Sequence, residues 1–218
     1  MRTEDLIVRL AGSVTPVRPL PPPMRRFWRW TLVTLAATAA GVAVFGARPD
    51  AARVLSRPAF LAPLALTLLT AWLSARAAFV LSVPGGERSA ADRWTPMAAG
   101  AAWASWLAIA VVLRGSPLAR IAGSFPLHWG CVIQISLLAV APGALLFVML
   151  RRAAPLRARW SAGLAGLAAA ALGAAGTQWI CPLDNPAHLL TNHFMTMGLV
   201  AAAGTLLPVA APGLLARR

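Results

Sequence analysis

The chain is written as long apolar runs separated by short polar connections, without the periodic half-polar faces of a soluble fold. Six runs, at about residues 27–46, 59–83, 94–113, 131–150, 160–180 and 188–210, carry almost no charge. Each has roughly the 20 residues a helix needs to cross a hydrocarbon core of about 30 Å. They are apolar all round, which argues against amphipathic surface helices. The pattern therefore predicts an all-α membrane protein, a six-transmembrane-helix bundle. The fifth run is the weakest in transfer energy because it is mostly Ala and Gly. Gly163, Gly166, Gly173 and Gly176 instead predict close approach of neighbouring backbones. Pro63, Pro142 and Pro208 fall inside runs and are expected to kink them, which neighbouring helices make tolerable in a bilayer.

Charge sets the orientation. The 218 residues include 20 Arg, no Lys and six acidic residues, for a net charge of +14, yet only 12% are charged and 59% are apolar. That composition excludes a disordered chain, and two Cys exclude a disulfide-dense scaffold. The Arg stand in short clusters between uncharged runs, which is the habit of a membrane protein and not of a nucleic-acid binder. With the N-terminus cytoplasmic, 15 Arg lie inside and five (Arg48, Arg53, Arg57, Arg114 and Arg120) outside, so both termini are expected in the cytoplasm. Arg76 sits near the inner end of the second run, within snorkelling reach of the interface. Trp28, Trp30, Trp94 and Trp160 are expected to form the inner aromatic belt, and Trp129 and Trp179 the outer one. The domain reading is a leader over 1–26, a transmembrane sensor domain over 27–212 and a short basic tail over 213–218.

The leader divides in two. Residues 1–12 read as a short helix, with Thr3 as N-cap, Glu4 and Asp5 at its positive end and Gly12 closing it. Leu6, Ile7 and Leu10, with Val14 beyond them, share one face. A helix this short needs a partner surface. Residues 14–23 hold five prolines and favour polyproline II, a spacer of up to roughly 30 Å. An interfacial anchor on anionic lipid is one reading of the leader. The nearly balanced charge of the helix and the stiff spacer favour presentation to a soluble partner instead.

All the candidate chemistry gathers on the outer side. Cys131 opens the fourth run and Cys181 closes the fifth, with His128, Asp184, His188 and His193 on the same face. Three readings stay open for the thiols: a structural disulfide, two unrelated buried cysteines, or a thiol–imidazole cluster that binds a soft or borderline metal. His188 and His193 are five apart. On a continuous α-helix they would point about 140° from each other, so a metal pair is not expected there.

Several classes lack their motifs. There is no C-x-x-C, no P-loop and no G-x-G-x-x-G, so disulfide exchange and nucleotide-driven chemistry have no support and an enzyme is not expected. No acidic residue occupies the middle of a run, where coupled carriers usually keep one, although a small transporter or channel subunit of the inner membrane remains the alternative.

Taken in order, Thr3-Glu4-Asp5-Leu6-Ile7, Pro16-Val17-Arg18-Pro19-Leu20 and Pro22-Pro23 resemble the start of the NrsF family of bacterial membrane proteins. Cys131, the stretch Leu150-Arg151-Arg152-Ala153-Ala154-Pro155-Leu156, and Trp179-Ile180-Cys181-Pro182-Leu183-Asp184 followed by Pro186-Ala187-His188 are similar to the same family. The resemblance implies a six-span inner-membrane anti-sigma factor that restrains an extracytoplasmic-function sigma factor through its N-terminal segment. Glu4, Asp5, Leu6, Ile7 and Leu10 are then the expected sigma-binding residues. Cys131 and Cys181 are the expected sensors of a heavy-metal or oxidative cue, and His128, Asp184, His188 and His193 candidate metal or supporting residues. No resident cofactor is expected beyond a metal ion acting as signal. The expected partners are the sigma factor and the bilayer, without direct contact to nucleic acid.

Overall fold

A computed structural model describes residues 2–12, 19–86, 89–113, 128–153 and 155–210. Half of the proline spacer (14–18, with Val14 and Arg18), Arg88, Arg114, Arg120 and the basic tail lie outside these residues. Every regular element among the described residues is helical. In chain order they are α1 (Thr3–Gly12), α2 (Pro23–Phe45), the short α3 (Ala51–Val54), α4 (Pro58–Val80), α5 (Ala90–Leu113), α6 (Trp129–Arg151), α7 (Ala158–Gln178) and α8. The last opens as Pro186–His188, passes through a π-helical segment Leu189–Phe194 and continues as Met195–Ala210. All six expected spans are present as helices long and apolar enough to cross a membrane, each within about a turn of its expected bounds.

The Ala- and Gly-rich α7 is the axis of the bundle. Some 78% of its apolar stretch is buried, against 28–44% for the other five spans. It packs most extensively against α8, α6 and α4. Its glycines are what allow this. A Cβ on Gly166 would stand 2.8 Å from the Val200 carbonyl oxygen of α8, and one on Gly173 2.5 Å from the Ile135 carbonyl oxygen of α6. With little apolar area per residue to bury, α7 gains its stability from contact at backbone range.

Two side chains tie α2 to α6 at the leader end. Trp30, expected in the aromatic belt, is instead a core residue, 1% exposed, whose indole N–H donates to the Pro142 carbonyl at 3.0 Å. A buried indole N–H is best satisfied by an acceptor, and this one finds its acceptor inside the bundle. Trp28, Trp94 and Trp129 do lie exposed as a belt requires. Arg26, assigned to the leader by sequence, belongs to α2, which begins at Pro23. Its buried guanidinium donates to the Met149 carbonyl and lies 5.0 Å above the Phe79 ring. Arg76 does more than snorkel, pairing at 2.8 Å with the buried Asp92 at the start of α5.

The leader helix α1 buries none of its residues. Thr3, expected as its cap, is the first helical residue. The Asp5 carboxylate accepts from the Arg2 backbone N–H at 3.3 Å and so closes the N-terminus. Pro22 sits at φ −51°, ψ 147°, in the polyproline II region expected of the spacer. At its opposite end α2 stops at Gly46, whose positive φ of 86° turns the chain toward Arg48.

Candidate functional site

The end of the bundle far from the leader gathers the residues singled out by sequence, and local sequence explains how. The last turn of α7 closes with the Cys181 N–H donating to the Thr177 carbonyl at 2.7 Å, which fixes the cysteine at the start of the loop. Asn185 then caps α8, accepting from the Ala187 N–H at 3.0 Å, with Pro186 in the first helical position. This sets His188 within the first turn of α8, facing the loop. Cys131 stands in the first turn of α6, with its own N–H bonded to the His128 carbonyl at 2.8 Å.

Four side chains converge. The Cys131 and Cys181 sulfurs are 3.4 Å apart as free thiols, and His188 Nε2 lies 3.5 Å from the first and 3.6 Å from the second. His193 completes the group. One ligand atom from each of Cys131, Cys181, His188 and His193 lies within 4.8 Å of all the others, and all four residues are buried. The pairing of His188 with His193 corrects the expectation that five residues would separate them. The intervening turn is π-helical, so its backbone bonds run from i to i+5 and residues five apart stack on one side. Their ring centroids are 5.5 Å apart.

His188 is oriented from behind. Asn192 Nδ2 lies 3.2 Å from His188 Nδ1, and since an amide nitrogen only donates, the proton of the neutral ring sits on Nε2 and faces the sulfurs. The Asn192 oxygen meanwhile accepts from the His128 backbone N–H at 2.7 Å, linking α8 to the start of α6. His193 is different. It is completely buried and neither of its ring nitrogens has a hydrogen-bond partner, an arrangement that costs about 1–3 kcal/mol when nothing compensates it. His128 is exposed and outside the group of four, with its ring packed edge-on against His188 at 4.9 Å.

Asp184 is not part of the cluster either. It belongs to a residue the sequence reading counted only as loop charge. The side chain of Arg48 is 1% exposed and bonds to both Asp184 oxygens, at 2.6 and 2.8 Å, and to Asp50, at 2.6 and 3.1 Å. It also donates to the Cys181 carbonyl at 3.1 Å, and its own backbone N–H bonds to the Trp179 carbonyl at 2.8 Å. Hydrogen bonding to Asp184, with Asp50 adding to it, raises the Arg48 pKa above its ordinary value, and the same contact lowers that of Asp50. Arg48 thus clamps the end of α2 to the Cys181–Asp184 loop. Its sequence signal was an Arg two residues from an Asp directly after a span, too common a pattern to mark it.

Electrostatically the site favours a thiolate at Cys181. The hydrogen bond from the Cys131 thiol holds its pKa below the ordinary thiol range, and His188 acts in the same direction against the opposing effect of burial. Access comes from a cleft of about 390 Å³ lined by His128, Trp129, Cys131, Gln134, Ile180 and Cys181, among others. Given an external oxidant that takes two electrons as the thiol protons leave, the arrangement can close a disulfide by bringing the sulfurs from 3.4 Å to about 2.05 Å; without one it can hold a cation between sulfur and imidazole.

Among known proteins, no curated sequence and no solved structure matches this chain. The family model for NrsF, described as negative regulator of sigma F, matches residues 10–211, from within α1 to past the end of α8. A match over nearly the whole chain means that this protein, with its six candidate spans, belongs to the NrsF family of negative regulators of a sigma factor.

Proposed function

We propose that the protein is an inner-membrane anti-sigma factor that holds an extracytoplasmic-function sigma factor on its leader helix and releases it when Cys131 and Cys181 meet a stress cue. The observation that carries the binding half is α1 itself. Leu6, Ile7 and Leu10 are 39%, 61% and 56% exposed on a helix that buries nothing, beside Glu4 and Asp5 at its N-terminal end. Ten residues form too short a helix to persist alone in water, so the leader gains its order from what it binds. An apolar face flanked by carboxylates suits a helix-in-groove contact on a DNA-binding protein with a basic surface.

The sensing half is supported by the connection between the two ends. α2 starts where the leader stops, and its far end is fastened by Arg48 to the loop that carries Cys181. A change at the thiols that moves this loop acts on α2 and, through it, on the leader. The two states required of such a switch are two arrangements of the Cys181 loop against α2. The direct test is transcription from a promoter dependent on the cognate sigma factor. The Cys131→Ser, Cys181→Ser variant should repress as the unmodified chain does and fail to release under cadmium or peroxide. A normal response from that variant contradicts the sensing half and leaves the binding half standing.

A further inference from the structure

We propose that Cys131, Cys181, His188 and His193 form a four-ligand tetrahedral site for a thiophilic divalent cation of the zinc and cadmium class. As a binding site this stands on the geometry alone, while its role as the cue rests on the sensing reading above. Three observations carry it. A tetrahedral cation with bonds of about 2.3 Å to sulfur and about 2.0–2.1 Å to nitrogen sets its sulfurs about 3.8 Å apart and each sulfur about 3.5–3.6 Å from each nitrogen. The structure has 3.4 Å for the sulfur pair and 3.5 and 3.6 Å from the sulfurs to His188 Nε2, so three corners of that tetrahedron are already laid out. The fourth corner is His193, fully buried within 4.8 Å of the other three, with no hydrogen-bond partner on either nitrogen. A disulfide pair has no use for two imidazoles aimed at it, whereas a Cys₂His₂ site needs both. Finally, the cleft beside the two sulfurs gives an ion a route in.

Binding has a defined proton balance. Each thiol that carries a proton gives it up to water, so that both sulfurs bind as thiolates. His188 must give up the proton on Nε2 and carry one on Nδ1 instead. The Asn192 amide therefore has to turn its oxygen toward His188, and in doing so withdraws it from the His128 backbone N–H. Occupation of the site is in this way coupled to the start of α6.

The test uses the purified full chain in detergent under reducing conditions, titrated with Co²⁺ as the spectroscopic probe and then with Cd²⁺. One equivalent of Co²⁺ should give the intense visible bands of tetrahedral cobalt and a thiolate charge-transfer band, both displaced by Cd²⁺. His188→Ala and His193→Ala, with unchanged thermal unfolding of the metal-free chain, should each weaken binding by about tenfold to a hundredfold or more, since loss of a ligand costs at least as much as loss of its supporting partner. Gly100→Ala, with nothing within 4 Å of the new Cβ, should bind as the unmodified chain does. Weak octahedral cobalt bands without a thiolate band, or unchanged affinity in either ligand-histidine variant, overturn the site. Should the two histidine variants unfold, Cys131→Ser, Cys181→Ser decides, and undiminished binding by it overturns the site equally. A chain that binds cadmium with these properties yet keeps its sigma factor under cadmium supports the site and contradicts the sensing reading. Release by peroxide from a chain that binds no metal does the reverse.

Discussion

Replacing Arg48 by Met keeps the length of the side chain and removes the guanidinium that joins α2 to the Cys181 loop. Breaking a fully buried ion pair by removing one partner costs about 3–5 kcal/mol. Here Arg48 is 1% exposed, but Asp50 and Asp184 keep 29% and 28% of their side chains in contact with solvent and can rehydrate. The loss is therefore smaller, about 2–3 kcal/mol, and it falls on the docking of the loop and not on the spans. Cys181, 7% exposed when the loop is docked, reports on this directly. If alkylation proceeds through local opening, its rate follows the open population, and 2–3 kcal/mol converts to an increase of about 30- to 150-fold. The assay is the rate of maleimide labelling of Cys181 in a Cys131→Ser background, for Arg48→Met against its parent. Arg53→Met, an exposed arginine on the adjacent α3, serves as control and should label at the parental rate. A change of less than about threefold in Arg48→Met would show that the guanidinium does not hold the loop, and the proposed connection from cysteine to leader would lose its first link.

Three further outcomes are expected. Leu6→Ala with Leu10→Ala should weaken retention of the sigma factor at least tenfold, at about 1–2 kcal/mol or more per anchor, while membrane insertion is unchanged; co-purification at parental yield would exclude this face. Gly166→Leu and Gly173→Leu should lower the thermal stability of the detergent-solubilised chain by about 1–3 kcal/mol each through overpacking against α8 and α6, whereas Gly100→Ala, with nothing within 4 Å of the new Cβ, should be neutral or slightly stabilising. Since Arg48 lowers the pKa of Asp50 below the ordinary 3.8, this carboxylate contributes stability that is fully present above pH 3.8 and is lost as pH falls through the lower folded value. Asp50→Asn should flatten that acid limb in a melting series taken from pH 5 downward, and an unchanged acid limb would remove Asp50 from the clamp.

How much of this was legible in the sequence depended on the length scale of the signal. The spans were, because 20 apolar residues in a row have few other uses, and the glycines of α7 were, because an Ala- and Gly-rich span can only be stable by close packing. Individual partners were not. Trp30 and Trp28 read alike as belt residues, but two positions stand about 200° apart on a helix, and only Trp30 faces the Pro142 carbonyl. Arg26 and Arg48 counted as interfacial charge because a buried arginine differs from a snorkelling one only in what surrounds it. The sharpest miss was His188 with His193. A spacing of five excludes a pair on an α-helix and produces one across the π-helical segment Leu189–Phe194, and no residue in that stretch announces the extra residue in its turn.

The central claim is that a sigma factor is held on the leader. It is tested most directly by solubilising membranes in mild detergent and comparing the intact chain with one lacking residues 2–13, each used to recover the co-expressed cognate sigma factor. Recovery with the intact chain alone is the predicted result. Equal recovery by both forms would move the contact off α1, and recovery by neither would contradict the anti-sigma mechanism itself.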